Sequence, residues 1–247
     1  MAWCFLSLPV SAQVSALDSV WVERFHQVIV GPDTLNTYRI YVRIAPDHRM
    51  QMVYGAERHP LQISASAPFH NQIDRPWSFA HEVEADQGID ANGIPDSWVT
   101  IGAADAAHWA IPLHLDAKGS HYAKHGRCSG PRSRRPSWCV RDGSIDADSV
   151  PQVVTFRFTP SYLAAVKGSE LHTLDGAWAV LGGVSGARTE GHVLLAQLTT
   201  SGTLSFQFNL QIGLPDGSFQ RFVYADPEPG EIIHPSLRQT VTWPSDN

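Results

Sequence analysis

The stretch GIDANGIPDSWVTIG, Gly88 to Gly102, brings together three oxygen-bearing side chains, Asp90, Asn92 and Asp96, with Asp86 just before them. Carboxylate and amide oxygens are what a hard cation such as calcium takes. The EF-hand spacing is absent: counted from Asp90, Gly93 falls at the fourth place rather than the sixth, and Ile101 stands where a bidentate Glu belongs. One reading is a looser structural calcium site on Asp86, Asp90, Asn92 and Asp96. The other needs no cofactor: Asn92-Gly93 supplies a positive φ, and Pro95 sets the entry to a strand at Trp98. The second is preferred.

The segment from Ala103 to Val150, rich in His, Arg, Gly, Ser and Asp, holds the other reactive groups. His121 and His125 have the i, i+4 spacing that lets two imidazoles of a helix share an ion, with His108 and His114 nearby. Gly119-Ser120 and Gly126 leave room for barely one helical turn, and no HExxH Glu is present, so scattered surface histidines are expected. Ser129, His108 and Asp116 echo the boxes of trypsin-like proteases but lie too close together for that fold, and no GxSxG elbow occurs. Arg132, Arg134 and Arg135 lie in a basic loop around Cys128 and Cys139, and guanidinium forks suit carboxylate or phosphate. Trp138 in that loop, with Trp77 and Trp109 in neighbouring ones, offers rings on which sugars stack. These residues form the candidate ligand-binding set, with an acidic glycan or another surface polymer as partner. A hydrolase would instead draw acid-base groups from His81, Glu82, Asp86, Asp105, His108 and Asp116.

The elements that must carry these residues read as strands. In TLSFQFNLQI, Thr203 to Ile212, apolar and polar residues alternate without exception after Thr203, which describes one half-buried strand. HVLLAQLTT before it, joined through Ser201-Gly202, predicts a hairpin. YRIYVRI from Tyr38 sends Ile40, Val42 and Ile44 inward against Arg39, Tyr41 and Arg43. Further strands are expected at Val20–Val30, Gln51–Tyr54, Leu61–Ala65, Trp98–Ile101, Val153–Phe158, Ala177–Leu181 and Gln220–Ala225, with helical turns only at Ser161–Lys167 and Ala103–Ala107. Short strands broken by Gly, Pro, Asn and Asp turns make an all-β, antiparallel β-sandwich of one or two packed sheet sets with a long irregular loop region in the middle. Residues 13–247 then form one β-rich domain, whose strand sets 13–102 and 151–235 are joined by the loop region 103–150.

The chain has 247 residues, 43% hydrophobic, enough for a sizeable core. Its net charge of -6 leaves no broad basic face, so a nucleic-acid partner is not expected. The apolar start followed by Val10-Ser11-Ala12 predicts a signal peptide over 1–12 cleaved before Gln13, and no other apolar run reaches the roughly 18 to 20 residues of a membrane span. In an oxidising compartment Cys128 and Cys139 are then expected to form a local disulfide, worth on the order of 3 kcal/mol.

Three pieces, Thr37 to Ile63, DSWVTIG from Asp96, and Asp175 to Gly213 with its LLAQLTTSGTLSFQFNLQIG core, resemble a family of uncharacterised exported bacterial β-rich proteins of marine Bacteroidetes and planctomycetes. The resemblance implies an extracellular or cell-surface module and carries no catalytic residues. It also treats DSWVTIG as a unit without the oxygen ligands before it. The leading expectation is thus a secreted, non-enzymatic module binding glycan or another surface polymer. The alternatives are a secreted hydrolase of a polymer, with carboxylate and His chemistry in the loop region, and a purely structural module.

Overall fold

The computed structural model describes residues 15–72, 78–85, 87–124, 136–157, 168–187 and 190–243. Strands β1 (Leu17–Val30), β2 (Asp33–Ile44), β3 (Arg49–Tyr54), β4 (Leu61–Ala65) and β5 (Trp98–Val99) precede β6 (His108–Ala110), the single helical turn α1 (His121–Lys124) and β7 (Ser144–Asp146). Then follow β8 (Val154–Phe156), β9 (Glu170–Thr173), β10 (Ala177–Val184), β11 (His192–Thr200), β12 (Leu204–Gln207), β13 (Leu210–Gly213), β14 (Phe219–Val223), β15 (Glu231–Ile233) and β16 (Arg238–Val241).

The strands form sheets of order β1-β2-β11-β5, β15-β14-β13-β3-β10-β8 and β16-β12-β4-β9, with β6 and β7 as a separate pair. Among the described residues all strand pairs are antiparallel except β14 with β15. Each large sheet mixes strands from before and after the 103–150 segment, and one core runs from Ala16 to Leu237 through Ile40, Val53, Trp178, Phe206 and Phe222. Among the described residues no helix is long and apolar enough to cross a membrane.

The alternation at the C-terminal end holds in burial but not in connection. Leu204, Phe206, Phe208, Leu210 and Ile212 are all buried, yet the run breaks at Phe208–Asn209 and its halves belong to different sheets. The Asn209 side-chain amide, donating to the carbonyls of Tyr54 and His59, holds this corner. The expected hairpin of β11 with β12 therefore does not form: β11 pairs with β2 and β5, and β12 with β4 and β16. Two-residue periodicity reports which side faces the core, and two sheets sharing a core satisfy it equally well.

The 103–150 segment also departs from its expected role. It has no helix at Ala103–Ala107, and its described residues, 103–124 and 136–150, instead pack as a small layer, with β6, α1 and β7, against the outer face of the β1-β2-β11-β5 sheet. Arg39 and Tyr41, placed outward by alternation, are buried under it, and Tyr41 packs with Ala104, Ala110 and Leu194. A sheet covered on both faces loses its polar side, which is why β11 is buried along nearly its whole length. The expected turn at Ser161–Lys167 lies outside the described residues.

Candidate functional site

The layer over the sheet is held by polar anchors from below. Arg39 donates through Nε to Gln197 Oε1 (2.8 Å) and through Nη1 to the Asp142 carbonyl (2.7 Å), with its guanidinium 3.6 Å above the centre of the Phe25 ring. Tyr41 donates its hydroxyl to the carbonyl of Ile111 (2.9 Å), and burial raises its pKa far beyond the usual range. Gly143 at φ 60 passes so close to Arg39 that a Cβ would lie 2.6 Å from Nη1. Only a residue without that atom fits.

On this base two carboxylates set the local backbone. Asp116 accepts from the backbone N–H groups of Lys118, Gly119 and Gly143. Asp142, fully buried, accepts through Oδ2 from the Ser120 hydroxyl and the N–H groups of His121 and Tyr122, and through Oδ1 from the Ser144 hydroxyl. It thereby ties the start of α1 to β7, satisfying N–H groups that so short a helix cannot.

Three side chains then converge. In the β6–β7 pair His108 stands directly opposite Asp146, and α1 delivers His121 beside them. Asp146 Oδ1 lies 3.6 Å from His108 Nε2 and 3.4 Å from His121 Nδ1. The imidazole centroids are 4.2 Å apart. Both histidines are buried, whereas the Asp146 side chain is 66% exposed, so the group reaches solvent on one side. Behind it, His108 Nδ1 lies 2.7 and 2.8 Å from the two oxygens of buried Asp105. This carboxylate holds a proton on Nδ1 and turns Nε2 toward Asp146. Burial works to lower the His108 pKa, but the Asp105 hydrogen bond and charge, with Asp146 and Asp142, outweigh it and hold it above the ordinary value. The His121 pKa is lowered, first by burial and then by the neighbouring His108 charge. His121 Nε2 is buried and takes no hydrogen bond among the described residues.

Of the hydrolase set, then, Asp105 and His108 meet, while Asp116 and Glu82 serve the backbone, Glu82 accepting from the N–H groups of Ser78 and Phe79. His81 stacks on Phe79. His121, expected at the surface, is buried instead, and Asp146 joins the group without any motif of its own. The only signal for it was its place in a His- and Asp-rich segment, because its partnership with His108 depends on a strand pair that closes over 38 residues.

The remaining candidates are placed differently. Asp90 Oδ1 accepts from the N–H groups of Asn92 and Ile94, Gly93 has φ 82, and Asn92 is exposed. Asp96, 2% exposed, accepts from the Gln72 N–H and side-chain amide. His70 Nε2, a neighbour the spacing did not suggest, lies 3.5 Å from Asp90 Oδ2 and 4.0 Å from Asp96 Oδ1. The loop is a turn built around its carboxylates, and β5 follows it into the sheet. Trp138 is corrected from an exposed ring to a buried one, packed with Phe25, Ile89, Tyr122 and Cys139. Trp109 is half-buried, wedged against Gly102, and donates Nε1–H to the Ser149 carbonyl. Trp138 has no open face for a sugar, and Trp109 only part of one. Trp77, Asp86, Cys128, His125, Arg132, Arg134 and Arg135 lie outside the described residues, and the proposed pairing of Cys128 with Cys139 lies there with them.

Comparison of the chain with protein-family models, with curated proteins and with solved structures finds no match.

Proposed function

We propose that this chain is an exported hydrolase of a polymer, with its active centre at His108, His121 and Asp146 and with Asp105 as the residue that positions His108. The observation that carries the reading is the convergence of two buried imidazoles and an exposed carboxylate, one imidazole oriented by a buried acid. Such a group can activate water beside a substrate that approaches from the Asp146 side. Of the tryptophans of the glycan-binding alternative, Trp138 is buried and Trp109 is half-buried against Gly102, which moves the weight to the hydrolase. Export, cleavage before Gln13 and a Cys128–Cys139 disulfide belong to the same reading. So does the likeness to exported surface proteins.

The test is product release by the purified mature chain on three polymer classes, polysaccharide, polypeptide and polyester, followed as new reducing ends, amines or acid. Asp146→Ala should reduce the rate by about a hundredfold or more, the scale of a lost acid-base group. No release from any class, or release that Asp146→Ala leaves intact, would overturn the reading.

A further inference from the structure

We propose that His108, His121 and Asp146 bind one divalent transition-metal ion of the zinc class. The inference deepens the hydrolase reading by naming the agent of that site, and its argument rests on geometry independent of any activity.

The first observation is the spacing. Ligands 2.0 to 2.2 Å from a tetrahedral zinc lie about 3.3 Å from one another. Asp146 Oδ1 is 3.4 Å from His121 Nδ1 and 3.6 Å from His108 Nε2, and one donor atom from each of the three residues can be chosen so that all lie within 4.8 Å of one another. Those separations exceed the roughly 2.7 to 3.2 Å of a nitrogen–oxygen hydrogen bond. The three groups therefore sit beyond hydrogen-bond length but within ion-pair reach, at the distance expected if they share an ion.

The second is the Asp105–His108 contact at 2.7 Å. A carboxylate on the far nitrogen of a ligating imidazole fixes its tautomer and orientation, the usual outer-shell arrangement of a histidine-bound metal. The third is His121: only 4% exposed, it lies with its ring centroid 4.2 Å from that of His108 and its Nδ1 turned to Asp146. Burying two imidazoles side by side is costly for a purely structural contact and is offset when each gives a lone pair to one ion. Two imidazoles with one carboxylate suit zinc and neighbouring transition metals, whereas calcium takes six to eight oxygens. Three protein ligands leave a position for water, as in catalytic zinc sites.

The test titrates zinc chloride, and separately calcium chloride, into the chelator-treated mature chain, with calorimetry for stoichiometry and a thermal melt as a second readout. One zinc per chain is expected, with a midpoint rise of several degrees at a hundred times the dissociation constant, and no calcium response. Asp146→Ala removes an exposed side chain and should keep the fold while lowering zinc affinity at least tenfold. Asp105→Asn should cost about 10- to 100-fold by loosening His108. His172→Gln, at an exposed histidine on β9, should change nothing. Absence of zinc uptake, zinc uptake unchanged by Asp146→Ala, or a calcium response in place of zinc would each overturn the site. Polymer hydrolysis that survives chelation would sink the metal and leave the hydrolase standing. Stoichiometric zinc with no hydrolysis would do the reverse.

Discussion

His26 shows how far one buried side chain can govern the response to acid. It is 4% exposed, its ring meets Trp138 edge-on, and burial pushes its pKa from 6.5 down to about 4, with a hydrogen bond to the Gly93 backbone working weakly the other way. The unfolded chain therefore binds more protons than the folded one between these two values. The stability His26 contributes is complete above pH 6.5 and is lost as pH falls toward 4, by about 3 kcal/mol in all. His70, His81 and His192, lowered by the same cause, steepen the loss. Urea unfolding at pH 7 and pH 4.5 should show the drop, and His26→Gln should flatten it. A wild-type curve level across that range would refute the argument. His26 follows Phe25 in a strand and His121 follows Ser120 in a polar loop, and only packing shows that both are buried.

At the scale of elements, the candidate site depends on a joint between β2 and the strip from Asp142 to Ser144. Arg39 crosses it, and its charge also faces Glu23, whose own pKa is raised by burial in spite of that charge. Arg39→Met removes charged hydrogen bonds and strands Glu23, which should cost about 3 kcal/mol by denaturant unfolding. Gly143→Ala forces a Cβ toward Arg39 at a positive φ and should cost about 1 to 3 kcal/mol. If the joint positions β7, both variants also weaken zinc binding by displacing Asp146. Unchanged zinc affinity in a folded Arg39→Met chain would show that β6, α1 and β7 hold their geometry without it. Nothing in YRIYVRI announces this joint, because its arginine reads as the outward half of an amphipathic strand.

For the whole molecule, the three large sheets share one core at the corner where Phe206 meets Phe208 at 4.9 Å and Trp178 meets Phe208 edge-on. Phe208→Ala empties the space between sheets and should destabilise by about 3 to 5 kcal/mol. Because each large sheet combines strands from before and after residues 103–150, neither set has a core of its own. Tryptophan fluorescence and far-ultraviolet circular dichroism should accordingly report one coincident transition. Two separated transitions would mean that the strand sets unfold independently.

The all-β class, the position of most strands and the side of them that faces the core are legible in the chain, because backbone periodicity and turn chemistry are local and are written in neighbouring residues. β4 spans the expected Leu61–Ala65, and the Asn92-Gly93 turn delivers β5. Tertiary structure alone decided that Thr203 to Ile212 serves two sheets, that Arg39 and Tyr41 lie under a second layer, and that His108, His121 and Asp146 share one place. Those outcomes rest on contacts between residues tens of positions apart, whose free energy comes from burial and from the closing of loops, and no window of neighbouring residues contains both partners.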